Sequence, residues 1–147
     1  MTKETCAITI DKKILDFIMH NNIASVCCTA DNVPYCFNCF YSVLKDEMCI
    51  VFKSSVETKH VQILADNKLV AGTIIDSDIN LTKIVGAQFA GVHIENDTAI
   101  TKATKSYYLR YPFAIAMPGK LWVLELNTIK YTSTINGVKR KLEWSRD

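Results

Sequence analysis

The chain has 147 residues, 49% hydrophobic and 22% charged, the proportions of one globular domain over 1–147 and not of a disordered or fibrous chain. Seventeen basic residues against fifteen acidic ones leave a formal charge of +2, too balanced to imply nucleic acid or a membrane surface as partner. The start, MTKETCAITIDKK, lacks an apolar export core, and no run approaches the ~18 apolar residues of a membrane helix, so six cysteines read as reduced thiols in a cytoplasm.

Residues 11–22 predict an amphipathic helix, with Asp11 as cap and Ile14, Leu15, Phe17 and Ile18 on the apolar side. IASVCCTA at 23–30 is a buried-type strand, Asp31-Asn32-Val33-Pro34 a turn, and 35–44 the returning strand. Lys45-Asp46-Glu47 turns the chain into a further strand at 48–52. Ser54-Ser55-Val56-Glu57 then fits the S-x-x-E capping box, predicting a helix over 55–66 with Val56, His60, Ile63 and Leu64 on one stripe and Asn67 as its C-cap.

Strands follow at 69–75 and 81–95. On the second, Ile84, Gly86, Gln88, Ala90, Val92 and Ile94 share one face, and Val85, Ala87, Phe89, Gly91 and His93 the other. Both faces are mostly apolar, as in a barrel wall touching a helix or a partner. Residues 98–110 predict a helix ended by Pro112, and 121–126, 129–134 and 139–144 predict strands. Seven or eight strands and three helices without regular βαβ alternation point to a small barrel with helical insertions.

Lys53, Lys59 and His60 crowd the start of the helix after the strand at 48–52, where a lone helix disfavours cations. With the hydroxyls of Ser54, Ser55 and Thr58 and free backbone amides, they compose an anion site suited to a phosphate. An ordinary capped surface helix with a solvated lysine accounts for the same residues. Tyr107, Tyr108, Arg110 and Tyr111 form an aromatic-basic cluster that reads either as a helix end with a snorkelling arginine or as a pocket wall meeting an anion.

Cys27, Cys28, Cys36 and Cys39 have the density of a metal site, but residues three apart on a strand point to opposite faces, which favours buried small hydrophobes over ligands for zinc. His20 suits a helix C-terminus and His93 a structural position. No Ser/His/Asp order or paired carboxylates stand out, so no catalytic side chain is assigned.

In order and spacing, NCFYSVLKDEMCIVFKSS, ETKHVQILADN, LVAGTI, GAQFAG, YYLRYP, KLWVLEL and KLEWSRD resemble the pyridoxamine 5'-phosphate oxidase-like, FMN-binding split-barrel superfamily, nearest to a group of small uncharacterised bacterial proteins. The resemblance implies a mainly β fold, a six-stranded Greek-key split β-barrel with about three short helices. It also implies a homodimer with FMN at the interface, and a small-molecule electron donor or acceptor. It places Asn38, Cys39, Phe40 and Tyr41 along the flavin ring, Lys53 and Ser54 near the ribityl phosphate, and Thr58, Lys59 and His60 at the phosphate. Gln88 is similar to a glutamine that reaches the ring in relatives.

Two positions depart from the oxidases: Asn38 replaces a basic residue, and Thr58-Lys59 replaces an Arg-Lys pair, which weakens the hold on a dianion. The substrate-binding arginine and histidine of the true oxidases have no counterpart, so vitamin B6 oxidation is not implied. The expected function is an FMN-binding flavoprotein of oxidoreductase or flavin-reductase type. The alternatives are a non-catalytic flavin- or haem-binding module and a metal-binding thiol protein.

Overall fold

The computed structural model of the chain describes residues 8–147, so the first seven residues of the stretch read above against an export signal lie outside it. Helix α1 (Lys12–His20) starts where the Asp11 carboxylate accepts from the Lys13 amide at 2.8 Å, and it buries Ile14, Phe17 and Ile18. Strands β1 (Ile23–Ala30) and β2 (Val33–Phe40) form a hairpin whose two turn residues, Asp31 and Asn32, have φ of 53° and 61°, the type I′ geometry that matches strand twist.

The strand expected over 35–44 is interrupted at Tyr41. Before it, β2 pairs with β1; after it, β3 (Ser42–Leu44) pairs with β4 (Cys49–Ser54). Helix α2 (Lys59–Asp66) leads to β5 (Leu69–Ile75) and β6 (Lys83–Ile94). Helix α3 (Asp97–Arg110), capped by the Asn96 side chain on the Ala99 amide at 2.7 Å, passes into a short 3-10 helix, Pro112–Ala116. The stretches expected as two strands, 121–126 and 129–134, are one, β7 (Lys120–Ile135). Its intended join is a bulge opposite Ala90 and Gly91, after which β8 (Val138–Ser145) folds back on it.

The capping box does not form. Ser54 pairs with Lys120 as the last residue of β4, α2 begins only at Lys59, and the Thr58 hydroxyl donates to the Ser55 carbonyl. Sheet pairing has claimed the residue that the pattern offered as a cap.

All pairings are antiparallel, in the order β2-β1-β5-β6-β7-β4-β3, with β8 added to β7. Because β2 and β3 are consecutive through Tyr41, the two ends of the sheet meet in one bent segment and the sheet curls into a split barrel. Among the described residues it has eight strands, within the seven or eight read along the chain and more than the six that the resemblance implied; the excess over six comes from the break at Tyr41 and from the β8 hairpin. The inward residues Ala24, Val26, Ile50, Phe52, Val85, Phe89 and Leu124 fill the barrel, with α1 plugging it through Ile14, Phe17 and Ile18 and α2 contributing Leu64.

A second core lies outside the wall, where Leu44, Cys49, Val51 and Val123 meet Ala103 and Tyr107 of α3 and Tyr111 just after it. β4 is therefore covered on both faces, each fully buried large side chain contributing roughly 1.5–3 kcal/mol. At Gly72 the wall needs a missing side chain: a Cβ there would meet the Phe89 ring, and would lie 2.5 Å from the Ser25 carbonyl oxygen.

Candidate functional site

Among the described residues β2 pairs on one edge only. Its other edge faces β4 without a ladder, and the opening between them is a cavity of about 260 Å³ roofed by α3 and the 3-10 helix. Asn38, Cys39, Phe40, Lys53, Ser54 and His60 all line it. Alternation along β2 turns Phe37 and Cys39 toward the core and Asn38 and Phe40 outward.

The inner wall is aromatic. The His60 ring stacks on Phe37 with centroids 3.7 Å apart and planes 10° from parallel, and Phe37 also packs on Phe52. His60 Nε2 lies 2.6 Å from Ser54 Oγ and 3.2 Å from Thr58 Oγ1. Burial lowers the His60 pKa below its ordinary 6.5, so the ring is neutral at pH 7 and takes the Ser54 hydroxyl proton as acceptor if Nδ1 carries the hydrogen. The Asn38 side-chain oxygen accepts from Ser25 Oγ at 2.6 Å, which leaves the amide NH₂ with no partner among the described residues. Burial pushes the Cys39 thiol up to about 12, so it is no nucleophile at neutral pH.

Lys53 is committed. Its ammonium donates to the carbonyls of Ala114 and Met117, each at 2.7 Å, and sits 4.9 Å over the Tyr108 ring, strapping the 3-10 segment to the barrel. Thr58 holds the rim through Ser54 and His60. Lys59 lies outside the cavity lining, its ammonium 4.9 Å over the Tyr35 ring. Tyr41 is fully buried: its hydroxyl donates to the Ile18 carbonyl at 2.6 Å, and its own carbonyl accepts from Tyr111 Oη and Arg110. Gln88 is on the outer face of β6, beside a different cavity with Lys130 and Trp144. One copy of the chain thus brings together six of the ten expected residues, with Thr58 bonded at the edge.

The aromatic-basic cluster divides. Tyr107 and Tyr111 line the cavity, as one of its two readings had it, whereas Arg110 donates to the carbonyls of Asn21 and Tyr41. Phe113, Met117 and Pro118 also line the cavity, and nothing in the sequence signalled them, because a short apolar 3-10 run looks like the frayed end of α3. His93 is buried, with Nδ1 lacking a partner among the described residues and Nε2 3.9 Å from a Glu95 carboxylate oxygen. Among the described residues no group of three or more His, Cys, Asp or Glu side chains could hold a metal ion, and no helix is long and apolar enough to cross a membrane.

No family profile matches the chain. Over 131 residues it is 30% identical to a UPF0306 protein of Photorhabdus laumondii, across 88% of this chain and 92% of that one. In fold it is similar to a heme binding protein from Mycobacterium smegmatis, with TM-score 0.74 and 15% identity, over 94% of this chain and 59% of that one. It is also similar to an FAD binding protein from the same organism, with TM-score 0.64 and 15% identity, over 94% of this chain and 99% of that one. At these identities the two likenesses speak for the fold alone.

Proposed function

The chain belongs to the UPF0306 family, and on that premise we propose that it binds FMN in the opening between β2 and β4, as a homodimer, and serves electron transfer between the flavin and a small molecule. The observation that carries this is the composition of the cavity: aromatic faces from Phe37, Tyr107 and Tyr111, and polar groups from Asn38, Ser54 and His60. A planar heteroaromatic with a polar edge suits such a lining.

Flavin, when bound, supplies the two-electron chemistry, and the protein orients it. The Asn38 amide NH₂, which has no partner among the described residues, would be free to donate to a polar atom of a bound flavin. Phe37, held against His60, presents a rigid apolar surface that excludes water. No side chain here needs to move a proton.

Phosphate anchoring is thin. Lys53 is spent on two carbonyls, Ser54 on His60, and Lys59 is the remaining nearby cation among the described residues. FMN should therefore bind only about fivefold more tightly than riboflavin, ~1 kcal/mol, the upper end for one exposed charge.

What supports the homodimer is the surface that one copy leaves uncovered. The cavity of about 260 Å³ falls just short of the ~300–1,000 Å³ of sites that bury most of a ligand. Its rim exposes Phe40, Phe113 and Met117, each at half or more of its surface. A second copy seated on that rim would deepen the site and cover these side chains.

A haem reading has one specific support, the neutral His60 imidazole inside the cavity, a ring type that ligates iron once its proton is off. Absorbance of the purified protein decides between them. Flavin bands, with FMN released on denaturation, support the proposal. A Soret band that is lost in His60→Ala would replace it with haem. If FMN titrated into ligand-free protein is not quenched, or is quenched equally in Phe37→Ala, the site assignment fails. Bleaching of bound flavin by anaerobic NADH or NADPH separates an oxidoreductase from a carrier.

A further inference from the structure

Cys27 of β1 and Cys36 of β2 are directly opposite in register, and their sulfurs are 2.7 Å apart. Both face outward, Cys36 exposed and Cys27 half-buried, and both are free thiols. Two residues along the same ladder, Pro34 stands opposite Thr29. Proline has no amide to donate, so that rung is of the non-hydrogen-bonded kind, with its backbone polar groups turned to the open edge of β2. Rungs alternate, which makes Cys27–Cys36 non-hydrogen-bonded as well, with Cα atoms about 4.5 Å apart. That separation lies at the short end of the range a disulfide spans, where the bond forms without moving the backbone and is also readily reduced.

We propose that Cys27 and Cys36 form a dithiol that exchanges with low-molecular-weight disulfides, closing and reopening a cross-strand bridge on the outer wall of the barrel. Cys36, the more exposed, attacks as thiolate one sulfur of the small disulfide RSSR, displacing RS⁻ and leaving a mixed disulfide. Cys27 then gives up its proton to solvent, and its sulfur attacks that of Cys36, displacing the second RS⁻. The two cysteines are oxidised to one disulfide, RSSR is reduced to two RSH, and the two thiol protons end on the two leaving thiolates.

Cys27 is suited to the second step. Its hydrogen bond to Cys36, with burial, pushes its thiol up to about 11, so it keeps its proton until the mixed disulfide forms and that hydrogen bond is gone. The remaining described thiols are poor competitors. Cys28 and Cys49 are buried, and Cys39 packs against the barrel core.

The test uses the full chain, reduced, freed of reductant, and incubated folded with oxidised glutathione. It is then quenched in acid, alkylated, and read by intact mass and peptide mapping. The expected result is loss of two hydrogens per chain, mapped to a 27–36 bridge, without lasting adduct and reversed by dithiothreitol. Cys27→Ser should accumulate a glutathione adduct on Cys36, and Cys36→Ser should form at least tenfold less adduct at position 27 over the same time. Unreacted native protein, a stable adduct on Cys36 in the parent, or a bridge mapped to other cysteines would each overturn the proposal. The readout is independent of any flavin, so it stands or falls apart from the function proposed above.

Discussion

Replacing Tyr41 by Phe removes one hydroxyl from the residue at which β2 becomes β3. That hydroxyl donates at 2.6 Å to the Ile18 carbonyl, and Tyr41 is fully buried. Ile18 lies in the last turn of α1, where carbonyls have no intrahelical partner. The substitution gives up a net hydrogen bond of ~1 kcal/mol and leaves a buried acceptor stranded at ~1–3 kcal/mol, so about 2 kcal/mol of stability should go. The ring stays, and no cavity forms. Urea unfolding, followed at several protein concentrations to factor out association, should show a midpoint about 1 M lower with an unchanged m-value. FMN affinity should hold within about threefold, because the hydroxyl points at α1 and away from the cavity. Loss of under ~0.5 kcal/mol, or a drop in flavin affinity at parental stability, would refute the assignment of Tyr41 as the joint of the barrel.

Two further outcomes test the packing. Gly72→Ala should lose roughly 1–3 kcal/mol in the same assay, since its Cβ runs into the buried Phe89 ring and the Ser25 carbonyl. Adding Phe89→Leu should recover only part of that, because the backbone clash stays; full recovery would place the strain wholly in the ring. The half-buried His60 and the buried His93 have pKa values lowered by burial from an ordinary 6.5, so the unfolded chain takes up protons first as pH falls. Their contribution is present above pH 6.5 and is lost as pH drops through the lowered folded values. His93→Gln should flatten the decline between pH 7 and about 5, and an unchanged slope would reject the sign of the shift.

Where local chemistry decided the structure, the sequence was readable. Asp11 caps α1 as expected, and the turn after β1 takes the I′ form that Asp and Asn tolerate. The outward and inward residues of β6 alternate as the pattern required, although in one copy the face with Ile84 and Gln88 stays open. The failures are tertiary. Ser54 has a capping residue's chemistry, but pairing with Lys120 takes it into β4. Lys53 has the charge of a phosphate ligand, but two carbonyls 61 and 64 residues away consume it. Nothing local tells a lysine which oxygen it will meet. Asn38, Cys39, Phe40, Ser54 and His60 do converge on one cavity, because the first four sit at the ends of two strands that the fold sets side by side and His60 opens the helix that follows the second.

The bend at Tyr41 has a wider consequence. A segment that serves one neighbour with its first half and another with its second cannot also hold those neighbours together along its whole length. The unzipped seam between β2 and β4 is what remains, so room for a guest comes with the topology and needs no added loop or lid. The side chains lining such a seam can differ while the ladders stay as they are, and proteins named for haem and for FAD share this architecture.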